Sequence, residues 1–311
     1  MYRRQFLKGG FVSLASLALP NLILGLPIKS TGEKFKLKFA PHFGLFENLA
    51  GKDITGQLSF IYDQGFTALE DNTFPKRPRR EQTKIISKMQ SLKLEMGVFV
   101  ANLSTAFGKD WLSQANKKYE KAFLNEIKQA CELAQQVKAK WATVVLGELS
   151  PKLELAYQTA YVVEILRKAS QICKKTGLIM VLEPLNPYVD HPNMFLAKTS
   201  HAYEICRAVD SPYCKILFDV YHQQIAEGNL IHNINLAWDE IAYFQLGDTP
   251  GRKEPGSGEI NYVNVLAHVH QKGFRGIYGM EHHFAKKDKA EEIKILKAYR
   301  HLENLVLQKS V

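Results

Sequence analysis

Eight short apolar segments recur along the chain, and stretches with helical periodicity separate them. Most of the segments run without polar–apolar alternation, which is typical of parallel strands buried on both faces. The segments are FKLKFAP (35–41), FTALED (66–71), LEMGVFVAN (94–102), WATVVLG (141–147), LIMVLEPL (178–185), CKILFDVY (214–221), IAYFQLGD (241–248) and GIYGMEHH (276–283). Regular alternation of strand and helix predicts an α/β fold with a parallel sheet.

The stretches between these segments carry helix signals. Phe123, Ile127 and Cys131 recur at the spacing of one helix face. The motifs DQGF, KKTGL and QKGF each place a glycine where a helix should end, just before a strand. Eight repeats predict a single (β/α)₈ TIM barrel over residues 31–311. The doubly wound open sheet is the competing fold, but no GxGxxG motif follows the first segment.

Residues 1–30 differ from the rest of the chain. They begin MYRRQFLK and continue as an apolar run without an acidic residue, which is typical of an export signal. The stretch RRQFLK resembles the twin-arginine type of signal. We therefore predict a periplasmic protein that is transported by the twin-arginine export machinery. Because no clear A-x-A cleavage site follows, a membrane anchor is the alternative to a cleaved leader.

The net charge of +10 favours anionic ligands in general. The basic residues are spread over the chain rather than gathered in one stripe, so nucleic acid is not an expected partner. The four cysteines show no CxxC spacing. Cys131 and Cys173 lie on apolar helix faces and are predicted to be core residues, whereas Cys206 and Cys214 flank one turn and could pair if oxidised.

In each of the last four segments an oxygen-bearing side chain directly follows the apolar run, which is IMVL, KILF, IAYF or IYGM. In a (β/α)₈ barrel the chemistry lies at the carboxyl ends of the strands, so we expect these side chains to converge. Three neighbouring carboxylates repel one another unless a proton or a cation lies between them. Oxygen donors favour Mg²⁺ or Mn²⁺, with Co²⁺ as an alternative. The predicted ligands are Glu183, Asp219, Gln245 and Glu281.

Further polar side chains follow these strand ends. His222 and Asn186 each stand three residues after one of the carboxylates, and His191 lies further along the same loop as Asn186. Arg252 lies in the Gly- and Pro-rich loop after the seventh segment, and its planar guanidinium suits a carboxylate or a phosphate. We interpret these four residues as substrate contacts, and Asp248 as a residue that holds His222 or a ligand in place.

Four stretches, LEPLN, FDVYHQQ, FQLGDTPGRKEPGSGEINY and GMEHH, occur in this order and resemble the hydroxypyruvate isomerase family of the xylose-isomerase-like barrels. The resemblance is strongest between residues 180 and 285. It implies a divalent cation held by the four strand-end residues, of which Glu183 and Glu281 would also act as acid and base. In related ketose epimerases the positions of His222 and Arg252 contact the substrate.

Three features depart from that family's pattern. Related epimerases carry a glutamate where this chain has Val189, and many relatives carry a tyrosine where it has His282. An exported member is also atypical. These departures leave the substrate open, although they do not affect the expected cation site.

The expected reaction begins with removal of a C–H proton next to a polarised carbonyl, by Glu183 or Glu281, to form an enediolate. Return of the proton to the adjacent carbon would isomerise the substrate, and return to the opposite face of the same carbon would epimerise it. The sequence predicts a small hydroxy-carbonyl or sugar substrate and does not separate these outcomes.

Two other classes of protein are compatible with such a barrel. An endonuclease-IV-like phosphodiesterase would need a zinc cluster rich in histidine, and an exported sugar-binding barrel would need no catalysis. The oligomeric state is open, with a homo-oligomer among the expectations.

Overall fold

The structure, a computed structural model, describes residues 33–107 and 112–310. The predicted leader lies outside these residues, and the domain boundary at residue 31 stays a prediction. Each of the eight apolar segments contains a strand. The strands are β1 (Lys38–Ala40), β2 (Ala68–Leu69), β3 (Glu95–Met96), β4 (Trp141–Val144), β5 (Ile179–Leu182), β6 (Cys214–Asp219), β7 (Ile241–Gln245) and β8 (Ile277–Gly279).

The strands form a closed parallel barrel. Six of them pair in the order β1-β8-β7-β6-β5-β4, and β2 pairs with β3. Isolated parallel bridges between His42 and Glu70 and between Val100 and Thr143 join these two groups. The eight strands therefore pair with one another in chain order and close into a barrel, which confirms the predicted (β/α)₈ TIM barrel.

Helices cover the outside of the barrel. Short 3₁₀ helices lie at Phe74–Lys76 and Leu112–Gln114. The α-helices are α1 (Glu47–Ala50), α2 (Ile54–Asp63), α3 (Arg79–Leu92), α4 (Lys117–Val137), α5 (Leu155–Cys173), α6 (Thr199–Val209), α7 (Val220–Ala226), α8 (Leu230–Leu236), α9 (Tyr262–Gln271) and α10 (Lys289–Lys309). In the described ranges, no helix combines the length and the apolar character needed to cross a membrane.

The helices begin and end where local chemistry directs them. The side chain of Asn116 accepts a hydrogen bond from Lys118 N and caps α4, whose buried face includes Phe123, Ile127 and Cys131 as the periodicity predicts. Gly65, Gly177 and Gly273 follow α2, α5 and α9 with positive φ angles. These angles confirm the predicted helix ends, because glycine adopts that conformation at little cost.

The core has two layers. The lower part of the barrel interior is filled by one apolar side chain from each strand or its immediate extension: Ala40, Ala68, Val98, Trp141, Val181, Leu217, Tyr243 and Ile277. A larger apolar layer lies between the strands and the helices, and it includes all four cysteines as buried free thiols. The predicted core positions of Cys131 and Cys173 are therefore confirmed, and Cys206 and Cys214 do not form a disulfide. Polar side chains at the strand ends therefore lie above an apolar floor.

Candidate active site

The four predicted ligand residues lie side by side at the carboxyl end of the barrel. Glu183 directly follows β5, and Asp219 and Gln245 are the last residues of β6 and β7. Asp219 and Gln245 are register partners across the two strands, while Gln245 pairs with Gly279, two residues before Glu281. Parallel register thus places the four side chains on consecutive strands at similar height.

The carboxylates surround one mostly buried space. Nε2 of His222 lies 3.6 Å from Asp219 Oδ2 and 3.9 Å from Glu183 Oε1. One ligand atom from each of these three residues falls within 4.8 Å of the others, which is compatible with a shared cation. Asp219 has two functions, because its Oδ1 accepts from Tyr221 N and caps α7 while its Oδ2 faces the space.

Arg252 lies between two of the carboxylates. One guanidinium nitrogen, Nη2, is 3.2 Å from Asp219 Oδ2 and 3.1 Å from Glu281 Oε2. The guanidinium also lies over the Tyr221 ring, 4.9 Å from its centroid, and donates from Nε to the backbone oxygen of Glu281. Arg252 therefore neutralises part of the negative charge, with no direct ion pair to Glu183 among the described contacts.

The pKa values of Glu183 and Asp219 reflect the negative charge that Arg252 leaves uncompensated. Burial raises the pKa of Glu183 well above its usual range, and the charges of Glu281 and Asp219 add to this effect. Burial also raises the pKa of Asp219 to about 7, although Arg252 opposes it. Both carboxyl groups lack sufficient compensation, so a bound dication would stabilise their ionised forms.

Gln245 completes the donor set. Its Nε2 lies 3.3 and 3.4 Å from the two carboxylate oxygens of Glu70, and its Oε1 is buried without a hydrogen-bond partner in the described part of the chain. A buried amide oxygen without a partner costs stability unless a ligand satisfies it. With three carboxylates nearby, this set of oxygen donors fits Mg²⁺ or Mn²⁺, and Co²⁺ is compatible.

His222 directs a ring N–H group toward this space. Asn186 Oδ1 accepts from the backbone N–H groups of Val189 and Asp190, which orients its Nδ2 to donate to His222 Nδ1 at 2.8 Å. Burial, with Arg252 and His191 nearby, holds the pKa of His222 well below its ordinary value. The neutral ring therefore carries its hydrogen on Nε2, which no described residue accepts.

His191 lies at the edge of the site and does not contact the carboxylates directly in the described contacts. Its ring is 5.4 Å from the His222 ring and 6.0 Å from the Phe107 ring, measured between centroids. Burial lowers its pKa, and the charge of Arg252 lowers it further.

The interpretation of Asp248 as a partner of His222 is wrong, because its carboxylate accepts from Thr249 N, Gly256 N and Ile260 N and so shapes its own loop. His282 is buried and stacks on Tyr299 of α10, with ring centroids 5.7 Å apart, whereas His283 is exposed.

Sequence reasoning missed a group of side chains after β1 and β2. Glu70 is fully buried and lies 2.7 Å from His42 Nε2, and Asn72 Nδ2 donates to Glu281 Oε1 at 2.9 Å. Burial raises the pKa of Glu70. Burial lowers the pKa of His42, but the hydrogen bond and the charge of Glu70, together with the charges of Glu281 and Asp71, raise it above its ordinary value. The signal was available, because Glu70 directly follows the apolar run FTAL just as Glu183 follows IMVL.

Comparison with known proteins agrees with this architecture. Residues 58–299 match the model of the xylose isomerase-like TIM barrel family, and the chain belongs to that family. Hydroxypyruvate isomerase of Escherichia coli (strain K12) is 29% identical over 163 residues, which cover 52% of this chain and 63% of that protein. A 2-oxo-tetronate isomerase of Pectobacterium atrosepticum is 30% identical over 158 residues, covering 50% of this chain and 60% of that protein.

The chain spans about half the length of curated relatives that it matches, between 43% and 63% for five of them. Among solved structures, a 3-keto-D-glucoside 4-epimerase of E. coli in its apo form matches with a TM-score of 0.72 and 20% identity, covering 86% of this chain and 100% of that one. This likeness shows the fold.

Proposed function

We propose that the protein is a divalent-cation-dependent isomerase of a small hydroxy-carbonyl compound, of the hydroxypyruvate isomerase type. The observation that carries the proposal is the donor set at the carboxyl end of the barrel. Three carboxylates and the unpartnered amide oxygen of Gln245 lie on consecutive strands, with Arg252 compensating only part of their charge. Isolated structural carboxylates would instead each have their own partner.

A dication would be held by Glu183, Asp219, Gln245 and Glu281. When bound, it would supply a Lewis acid that polarises the carbonyl of a substrate. The chain's own residues would handle the protons. Glu183 after β5 and Glu281 after β8 reach the site from two sides of β6 and β7, so one can remove the C–H proton and either can return it.

Two other side chains would orient the substrate. The Nε2–H of His222 is a buried donor that needs an acceptor, which a substrate oxygen would provide. Arg252 carries a guanidinium fork that can bind a carboxylate or hydroxyl oxygen. Asn186 holds His222 in the required tautomer, and His191 would close the outer side of the site.

Product analysis tests the proposal directly. The purified full-length chain is incubated with hydroxypyruvate, tartronate semialdehyde and ketohexoses, with and without Mn²⁺, and products are followed by NMR in ²H₂O. We expect Mn²⁺-dependent isomerisation of hydroxypyruvate, with deuterium on the adjacent carbon. Glu183→Gln and Glu281→Gln should each lose activity, and Glu303→Gln, remote from the site, serves as the control. Full activity in both site variants would refute the assigned roles.

Epimerisation of a ketose is the second candidate. It is favoured by the placement of two glutamates on separate strands, since inversion of a carbon needs proton exchange on both of its faces. Deuterium on the same carbon with inverted configuration would identify it. Tight sugar binding without turnover would instead indicate a non-catalytic sugar-binding barrel.

The zinc-cluster phosphodiesterase has weaker support. Within the described residues, the one group of potential cation ligands contains a single histidine, His222, whose hydrogen lies on the nitrogen that faces the carboxylates. Metal analysis of the purified protein checks this, because a phosphodiesterase of that type would retain several zinc ions.

We also propose that the chain is exported to the periplasm through the twin-arginine machinery. The support is the RRQFLK stretch followed by an apolar run at the start of the sequence. Cell fractionation of the full chain and of an Arg3→Lys/Arg4→Lys variant tests it. The variant should remain in the cytoplasm, and equal distribution of both proteins would contradict the proposal.

A further inference from the structure

Glu70 is a buried carboxylate next to Gln245, one of the candidate cation ligands. It follows β2, and its side chain is fully buried. One carboxylate oxygen, Oε2, is 2.7 Å from His42 Nε2, and both oxygens lie 3.3 to 3.4 Å from Nε2 of Gln245. The carboxylate therefore connects a residue at the barrel mouth with one of the candidate cation ligands.

Two glycines make room for this carboxylate. A Cβ atom at Gly279 would lie 2.2 Å from Glu70 Oε1, and a Cβ atom at Gly97 would lie 2.9 Å from Glu70 Cγ. A side chain at position 279 would occupy the space that the Glu70 carboxylate fills, and one at position 97 would meet both the Tyr243 hydroxyl and Glu70. The strands around Glu70 thus form a closed slot that leaves its carboxylate little freedom to move.

The slot determines which end of the Gln245 amide faces the cation site. The oxygens of Glu70 that face Gln245 act as acceptors, whichever partner holds the proton between Glu70 and His42. A reversed amide would place Gln245 Oε1 against these oxygens, which is unfavourable in a buried environment. The amide therefore presents N–H groups to Glu70 and leaves Oε1 without a partner in the described structure.

We propose that Glu70 is a positioning residue that orients Gln245 so that its amide oxygen is available to a divalent cation. The inference rests on the proposed function, in which Gln245 is a ligand. His42 contributes by holding the second carboxylate oxygen. Residues that orient ligands in this way typically change metal affinity by about 10- to 100-fold when they are replaced.

A double-mutant cycle on Mn²⁺ affinity tests the role. The full chain is stripped of metal, and the dissociation constant for Mn²⁺ is measured by calorimetry for the wild type, Glu70→Gln, Gln245→Glu and the double variant. Glu70→Gln should weaken binding about 10- to 100-fold, because an amide at position 70 no longer fixes the Gln245 amide.

The same change should have the opposite effect in the Gln245→Glu background. A carboxylate at position 245 has two equivalent oxygens, so its orientation no longer matters. It would be repelled by Glu70, whereas an amide at position 70 can donate to it. The double variant should therefore bind Mn²⁺ at least as tightly as Gln245→Glu alone. A purely structural role predicts that Glu70→Gln weakens binding in both backgrounds, and this result would overturn the proposal.

Two controls keep the outcomes separate. Glu303→Gln neutralises another buried glutamate, which accepts from Lys36 N and Leu37 N at the opposite end of the barrel, and it should leave Mn²⁺ affinity unchanged. His42 lies nearer the solvent than Glu70, with 23% of its side chain exposed. His42→Asn should therefore fold and weaken Mn²⁺ binding even if Glu70→Gln does not fold.

Metal binding by the wild type distinguishes failure of this inference from failure of the proposed function. If the wild type binds Mn²⁺ and both Glu70→Gln and His42→Asn bind it equally well, the role of Glu70 is refuted while the cation site stands. If the wild type binds none of Mn²⁺, Mg²⁺ and Co²⁺, the proposed function fails, and the role of Glu70 fails with it.

Discussion

Gly279→Ala is the most direct test of the slot around Glu70. The added methyl carbon would lie 2.2 Å from Glu70 Oε1 and 2.4 Å from its Cδ and Oε2, well inside van der Waals contact. Overpacking of this kind costs about 1–3 kcal/mol. Displacement of the carboxylate would also weaken its bonds to His42 and Gln245, at about 1.5–3 kcal/mol for charged hydrogen bonds. We expect a total loss of about 2.5–6 kcal/mol.

Urea unfolding followed by circular dichroism measures this loss. Gly56→Ala is the matched control, because neither glycine has a positive φ and a methyl at position 56 would have no neighbour closer than 3.5 Å. Its effect should range from neutral to a stabilisation of about 1 kcal/mol, since alanine favours helix. The comparison therefore isolates the lack of space at Gly279 from the general effect of replacing a glycine.

A second background identifies the clash partner. In Glu70→Ala the space next to position 279 is empty, so the same methyl should cost less than about 1 kcal/mol there. The reasoning is refuted if Gly279→Ala unfolds at the wild-type urea concentration, or if its cost is the same with and without the Glu70 carboxylate.

Four further predictions concern the site and the core. Asn186→Ala removes the shorter of the two hydrogen bonds to His222 Nδ1 and leaves the longer one from the backbone N–H of residue 186. It should lower kcat about 10- to 100-fold and reduce the Nε2–H form in ¹⁵N NMR of the imidazole, and an unchanged spectrum would show that the side chain does not set the tautomer. Glu183→Gln should lower kcat at least about 100-fold without changing the circular dichroism spectrum. Saturating Mn²⁺ at about 100 times its dissociation constant should raise the free energy of unfolding by about 2.7 kcal/mol, an increase that Asp219→Asn should abolish. Phe123→Ala should cost about 3–5 kcal/mol in urea unfolding, because Phe123 is fully buried, and a loss below about 1 kcal/mol would show that the helix layer repacks.

The barrel and the order of its strand-end residues are determined by local features of the sequence. Apolar runs of strand length, helical periodicity and glycines at helix ends all act over fewer than about 20 residues, so they can be recognised without knowing which elements meet. Once a (β/α)₈ barrel is inferred, Glu183, Asp219, Gln245 and Glu281 must lie at one end of it.

Local sequence features led to a wrong partner for Asp248. Its loop folds back, so the carboxylate accepts hydrogen bonds from nearby backbone N–H groups instead of contacting His222. Sequence reasoning also overlooked Glu70. Apolar spacing shows that a carboxylate ends a strand, but it does not show which partner the carboxylate will meet.

Tertiary structure alone decided how these side chains are oriented. Glu70 and Gln245 are 175 residues apart and belong to strands that are not neighbours, so they meet only because the barrel closes around a shared interior. Asn186 likewise sets the tautomer of His222 from a different strand end, 36 residues away. The direction of a hydrogen bond depends on distances of about 3 Å between groups that the chain brings together only when it is folded. The hydrophobic pattern of the sequence therefore does not predict it.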